Sequence, residues 1–91
     1  MRYKKITVAG KVQNVGFREF LRKEASRLGG ILGYAKNLKN GNLEILVSGE
    51  EEKIRQFEKI CRKGPLLASI REVNVEEVDS DDEFDAFVIK Y

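Results

Sequence analysis

This chain has no histidine, and cysteine and proline occur once each. Without His there is no Ser-His-Asp or Cys-His nucleophile system, no phosphohistidine intermediate and no His-containing metal site. The single Cys61 cannot form an internal disulfide, which suits a reducing compartment, and the usual Cys/His zinc sites are excluded as well. Cys61 falls on the buried side of a helical segment, where a free thiol packs as a small hydrophobe. No apolar run approaches the ~20 residues of a membrane span. The first residues, "MRYKKITVAG", lack the apolar centre of a signal peptide. The expectation is a cytoplasmic protein with no membrane partner. Any catalysis must run on Arg, Lys, Asn, Gln, carboxylates or backbone amides.

What is present points to a folded domain. The 91 residues are 42% hydrophobic and 35% charged, which suits one small domain spanning residues 1–91 and is too apolar for a disordered chain. Lys and Arg number 17 against 15 Asp and Glu, leaving a net charge of +2. That balance does not suit a dedicated nucleic-acid binder, so no nucleic-acid partner is expected.

Periodicity predicts the elements. "YKKITVAGKV" (Tyr3–Val12) alternates and reads as a strand with one solvated face. "FREFLRKEASRL" places Phe17, Phe20, Leu21, Ala25 and Leu28 on one helical stripe, stopped by Gly29-Gly30 in a left-handed cap. "ILGYAKNL" and "NLEILVSG" are two strands joined through Lys39, Asn40 and Gly41, with Asn-Gly supplying the positive φ angles of a tight hairpin. Ser48 and Glu51 form a capping box for a second helix carrying Ile54, Phe57 and Cys61, and Gly64-Pro65 ends it. "IREVNVEEV" is a fourth strand, "DSDDEFD" a solvated acidic turn without the spacing of a calcium loop, and "AFVIKY" a short last strand. The order is that of a ferredoxin-like βαββαβ α+β sandwich: an antiparallel sheet with two helices on one face and a short extra C-terminal strand.

Two stretches carry candidate chemistry. Gln13, Asn14, Val15, Gly16, Phe17 and Arg18 lead from the first strand into the first helix. Backbone N–H groups left unpaired there, with the helix dipole, make an anion cradle. Gly16 allows close approach of a ligand, and Asn14 tolerates a left-handed conformation. Arg18 stands where the dipole disfavours a cation unless an anion lies between them. The plainer reading makes Arg18 a solvated helix residue, with Glu19 offsetting the dipole. Asn37, at the end of its strand, reads on its own as a turn residue bonded to local backbone.

Taken together, "V-A-G-K-V-Q-N-V-G-F-R" and "G-Y-A-K-N-L-K-N-G-N-L", the latter followed by Gly49, resemble the two signatures of the acylphosphatase family. The resemblance extends over both motifs, their spacing, the element order and the aromatic end "FVIKY". Two departures stand out: Asn14 replaces the Gly of the family's Gln-Gly-Val, and Leu43 replaces a Val.

The resemblance implies hydrolysis of a small acyl phosphate to a carboxylate and inorganic phosphate. Arg18 and the loop amides of residues 14–18 would hold the phosphoryl oxygens, and Asn37 the attacking water. It implies no metal and no cofactor. The implied partners are the acyl phosphate and inorganic phosphate, as product and competitive inhibitor, with the chain acting as a monomer. The alternative is a catalytically weak or inactive domain of the same fold that binds phosphate or carbamoyl phosphate. An RNA-recognition domain would need aromatics on the third strand, and a metal chaperone a pair of cysteines. Neither is present.

Overall fold

The computed structural model describes residues 2–91, so Met1 of the expected domain lies outside the described residues. Alternation decides the centre of the sheet. In β1 (Arg2–Lys11), Ile6 and Val8 point to one face and are wholly buried, while Lys5 and Thr7 point to the other. The chain continues through α1 (Phe17–Leu28), β2 (Leu32–Asn37), β3 (Leu43–Ser48), α2 (Glu51–Lys63), β4 (Ser69–Asp79) and β5 (Phe87–Lys90). The strand order is β4-β1-β3-β2-β5. Ile6 of β1 pairs with Ile45 of β3 on one side and Val75 of β4 on the other, both antiparallel.

Both helices lie on the face presented by Ile6, Val8, Leu43, Ile45 and Val47. They fill it with Phe17, Leu21 and Ala25 from α1 and Ile54, Phe57 and Cys61 from α2. Each large apolar side chain removed from water there contributes about 1.5–3 kcal/mol. No described helix is long and apolar enough to cross a membrane.

The four strands β4-β1-β3-β2 follow the antiparallel arrangement expected. The fifth makes the sheet mixed: β5 pairs with β2 in parallel, with Tyr34 opposite Val88 and Ala35 opposite Ile89. The chain leaves β4 at one edge and must reach the opposite edge. Four strand spacings amount to roughly 19 Å, and the eight residue steps from Asp79 to Phe87 reach at most roughly 29 Å. Residues 80–86 therefore cross the open face with limited slack. Their acidic side chains at Asp81, Asp82, Glu83 and Asp85 are exposed as expected, but the segment is a crossing and not a turn. Phe84 packs edge-on to Tyr3 at 6.2 Å and tilts against Tyr34 at 5.8 Å, and the Tyr3 hydroxyl donates to the Asp82 carbonyl at 2.7 Å.

Three local expectations need correction. Ser48 does not cap α2; it pairs with Leu32 in the sheet, and the N-cap is Glu50 without a side-chain bond. Glu51 and Glu52 complement the dipole instead. Gly29 has positive φ but an extended ψ of 145°, so the stop is not a left-handed cap, although its N–H still bonds Ala25 O. In the hairpin only Gly41 takes positive φ. Asn40 does not, and its side-chain oxygen accepts from the Asn42 N–H at 3.0 Å. With Gly41 N–H to Leu38 O and Leu38 N–H to Asn42 O, this is a three-residue loop that needs a single left-handed residue.

Cys61 is fully buried, and burial, with Glu58 nearby, pushes its thiol well above the ordinary range. The thiolate is the reactive form. The native protein should therefore be unreactive toward Ellman's reagent at pH 8 and release one thiol only on unfolding in guanidinium. Rapid labelling of the native state would show that the helix-sheet core opens locally.

Candidate active site

The loop before α1 is built around two left-handed residues. Asn14 has φ 62°, the one non-glycine with positive φ among the described residues, and Gly16, the N-cap of α1, has φ 73°. A left-handed residue on either side of Val15 curls the chain so that successive N–H groups converge. Val15 and Phe17 turn inward and are buried, which anchors the curl to the core. Among the described residues, no N–H from Asn14 to Glu19 donates to a backbone acceptor in a loop or cap. The first such bond at this end is Phe20 N–H to Gly16 O, at 3.0 Å. The positive end of α1 is therefore open toward whatever lies in front of it.

Arg18 occupies that end. Its Nη1 donates to the Lys90 carbonyl at 3.1 Å, and its guanidinium carbon lies 4.8 Å from the centre of the Tyr91 ring. Neither contact neutralises its charge. Glu19 bonds Arg22 instead, and that hydrogen bond is the main cause holding its carboxyl below the usual range.

Asn37 closes β2 on the other side. Its Oδ1 is buried and has no hydrogen-bond partner. A buried oxygen left this way costs about 1–3 kcal/mol, so it needs a donor that enters with a ligand or as water. The turn role does not describe it.

These groups share one cavity of about 170 Å³. Of the candidate residues it is lined by Asn14, Gly16, Phe17, Arg18 and Asn37, and beyond them by Val12, Glu19, Ile89 and Tyr91. Gln13 and Val15 do not line it. The Gln13 side chain donates across to the Leu38 and Asn42 carbonyls, at 2.7 and 3.0 Å, and joins the loop to the hairpin.

Sequence reasoning missed Ile89 and Tyr91. The alternation of "FVIKY" put them on one face, but nothing local revealed that β5 would lie beside β2 and carry that face to Arg18. Among the described residues, no group of three His, Cys, Asp or Glu stands close enough to hold a metal ion. A guanidinium, several free amides and one unpartnered oxygen acceptor around a small cavity suit a compact anion together with a polar molecule able to donate a hydrogen bond.

Comparison with known proteins gives a consistent result. A family model described as acylphosphatase matches residues 4–89. An acylphosphatase of Caldivirga maquilingensis is 39% identical over 88 residues, covering 96% of this chain and 92% of that protein. The crystal structure of acylphosphatase from Bacillus subtilis superposes with a TM-score of 0.90 at 33% identity, covering both chains fully. Full-length HypF, crystallised in a phosphate- and nucleotide-bound form, also matches, with a TM-score of 0.87 at 33% identity. That match covers 99% of this chain but 12% of HypF.

The left-handed position of Asn14 generates a stability test. Asn tolerates this region better than other residues with a Cβ, and a β-branched residue is strongly disfavoured there. Asn14→Gly should be neutral or stabilise by up to about 1 kcal/mol. Asn14→Val should destabilise by about 1–2 kcal/mol in urea melts. A harmless Val would show that the loop relaxes out of the left-handed conformation.

Proposed function

The chain belongs to the acylphosphatase family and hydrolyses acyl phosphates, and on that premise we propose that Arg18, the loop amides and Asn37 divide the chemistry among them. In this reading the phosphoryl group sits at the N-terminus of α1. Its oxygens accept from the amides of residues 14–18 and from the fork of Arg18, which binds such oxygens two at a time. Asn37 Oδ1 accepts a hydrogen bond from the attacking water and fixes its line of approach. The observation that carries the reading is that Asn37, whose Oδ1 is buried and unpartnered, lines the same small cavity as Arg18.

The reaction needs little else. A carboxylate leaves with a conjugate acid of pKa roughly 4, so it departs without a general acid. The transition state is loose, and catalysis consists of positioning the water and stabilising charge on the equatorial oxygens. Arg18 and the amides supply that charge stabilisation without a metal, Asn37 supplies the orientation, and a substrate oxygen can take the proton of the water. An ordinary phosphate ester has a far poorer leaving group and should react badly. Inorganic phosphate fits the same cradle and should inhibit competitively. Every proposed group comes from one chain, which supports action as a monomer. The free thiol of Cys61 suits the reducing surroundings of the cytoplasm. Asn14, with a side chain where the family has none, bears on the efficiency of the cradle and leaves its mechanism unchanged.

The roles separate in kinetics. Arg18→Gln should lower kcat/KM for acetyl phosphate by about 100-fold or more and weaken phosphate inhibition, with Lys recovering little. Retained activity in Arg18→Gln would remove the clamp from the mechanism. Asn37→Ala should lose kcat to a similar extent of about 100-fold, while calorimetry still detects phosphate binding. Loss of binding along with turnover would make Asn37 a structural residue. Exhaustive EDTA treatment should leave the rate unchanged; a rate restored by magnesium would contradict the proposed charge stabilisation.

A further inference from the structure

Lys90 touches the molecule on two sides at once. Its carbonyl accepts from Arg18 Nη1 at 3.1 Å. Its side chain points to the open face of the sheet, where Nζ lies 4.4 Å from the centre of the Tyr34 ring and 5.7 Å from that of Phe84. The neighbouring Ile89 and Tyr91 line the cavity. The end of β5 is thus held by a cation against two rings, and its backbone is the surface against which the guanidinium rests.

That end is also paired with β2, Ile89 lying opposite Ala35 and Lys90 opposite Lys36, but it has a neighbouring strand on one side alone. β5 is a four-residue edge strand, anchored at its start by Phe87, whose ring meets Phe57 at 5.3 Å. Phe84 in turn is set by the crossing of residues 80–86, by Tyr3 and by the Tyr3–Asp82 bond.

We propose that Phe84 and the Lys90 side chain are positioning residues for the active site: clasped on the open face, they fix the end of β5 and so aim the Arg18 guanidinium into the cradle. The inference rests on Arg18 being the phosphate clamp. It adds that the aim of the clamp is set from the opposite side of the sheet, by residues outside the cavity.

The test is calorimetric titration of the full chain with inorganic phosphate, alongside acetyl phosphate kinetics and thermal melts. The variants are Lys90→Met, Lys90→Arg, Phe84→Leu and the core control Ile54→Val. Lys90→Met and Phe84→Leu should each bind phosphate roughly two- to fivefold more weakly, with a matching fall in kcat/KM. Lys90→Arg, which keeps a cation over the rings, should restore both. Ile54→Val should lower the melting temperature and leave phosphate affinity unchanged.

Wild-type phosphate affinity in Lys90→Met and Phe84→Leu overturns the proposal. So does a loss confined to Lys90→Met, because a charge acting through space needs no clasp. An equal loss in Ile54→Val overturns it too, as an effect of general stability. Arg18→Gln, run in parallel, separates the two levels. If phosphate binding survives that change, the clamp itself fails. If Arg18→Gln weakens binding and the clasp variants do not, only the present inference fails.

Discussion

The Gln13 carboxamide donates to two carbonyls of a hairpin that follows it by some 25 residues, those of Leu38 and Asn42. The site depends on that fork. It leaves the loop that carries Arg18 and Gly16 and clasps the turn that begins immediately after Asn37, so the two halves of the cavity are set at one separation. Two neutral hydrogen bonds contribute about 1 kcal/mol each to stability. Their larger effect is on distance, since a misplacement of the order of 1 Å between reacting groups costs far more in rate than those bonds contribute to folding.

Around this tie the fold concentrates small destabilising features. Arg18 stands at the positive end of a helix, Asn14 is left-handed, the first amides of α1 lack backbone partners, and Asn37 Oδ1 is buried and unpaired. Each is unfavourable by itself, and in the proposed function an anion with a water beside it would offset all of them except the left-handed backbone of Asn14. The helix-sheet core, with Ile6, Phe17, Leu21, Ile45 and Phe57 almost fully buried, offsets them. Strain collected at one place and supported elsewhere is the usual arrangement of a pre-formed binding site.

Much of this was legible in the sequence. Alternation and three-to-four spacing located every element, because both patterns record which face each residue buries. The two motifs brought Arg18 and Asn37 together, since strand ends and helix starts gather on one side of such a sheet. What stayed hidden depends on distant partners. Gln13 reads as a loop residue until Leu38 is beside it. Ser48 has the spacing of a cap, but the sheet claims it first. Asn40-Gly41 suggested positive φ angles at both residues, yet the side chain of Asn40 satisfies a loop amide and leaves only Gly41 left-handed. The parallel pairing of β5 follows from the crossing of residues 80–86, which no local pattern describes.

The central place of β1 also bears on how the molecule is made. β1 precedes both of its partners in the chain: residues 43–48 on one side and 69–79 on the other, with Arg2 paired to Asp79. A nascent chain therefore carries its central strand with both edges bare until residues 43–48 follow, and with one edge bare until residues 69–79 follow. Such non-local pairing is slow, and bare edges attract other chains. The Arg18–Lys90 contact links residues 72 apart, so it forms only after the other strands of the sheet have been made. A product cut before β5 would hold the rest of its sheet and lack both that contact and the wall that Ile89 and Tyr91 give the cavity.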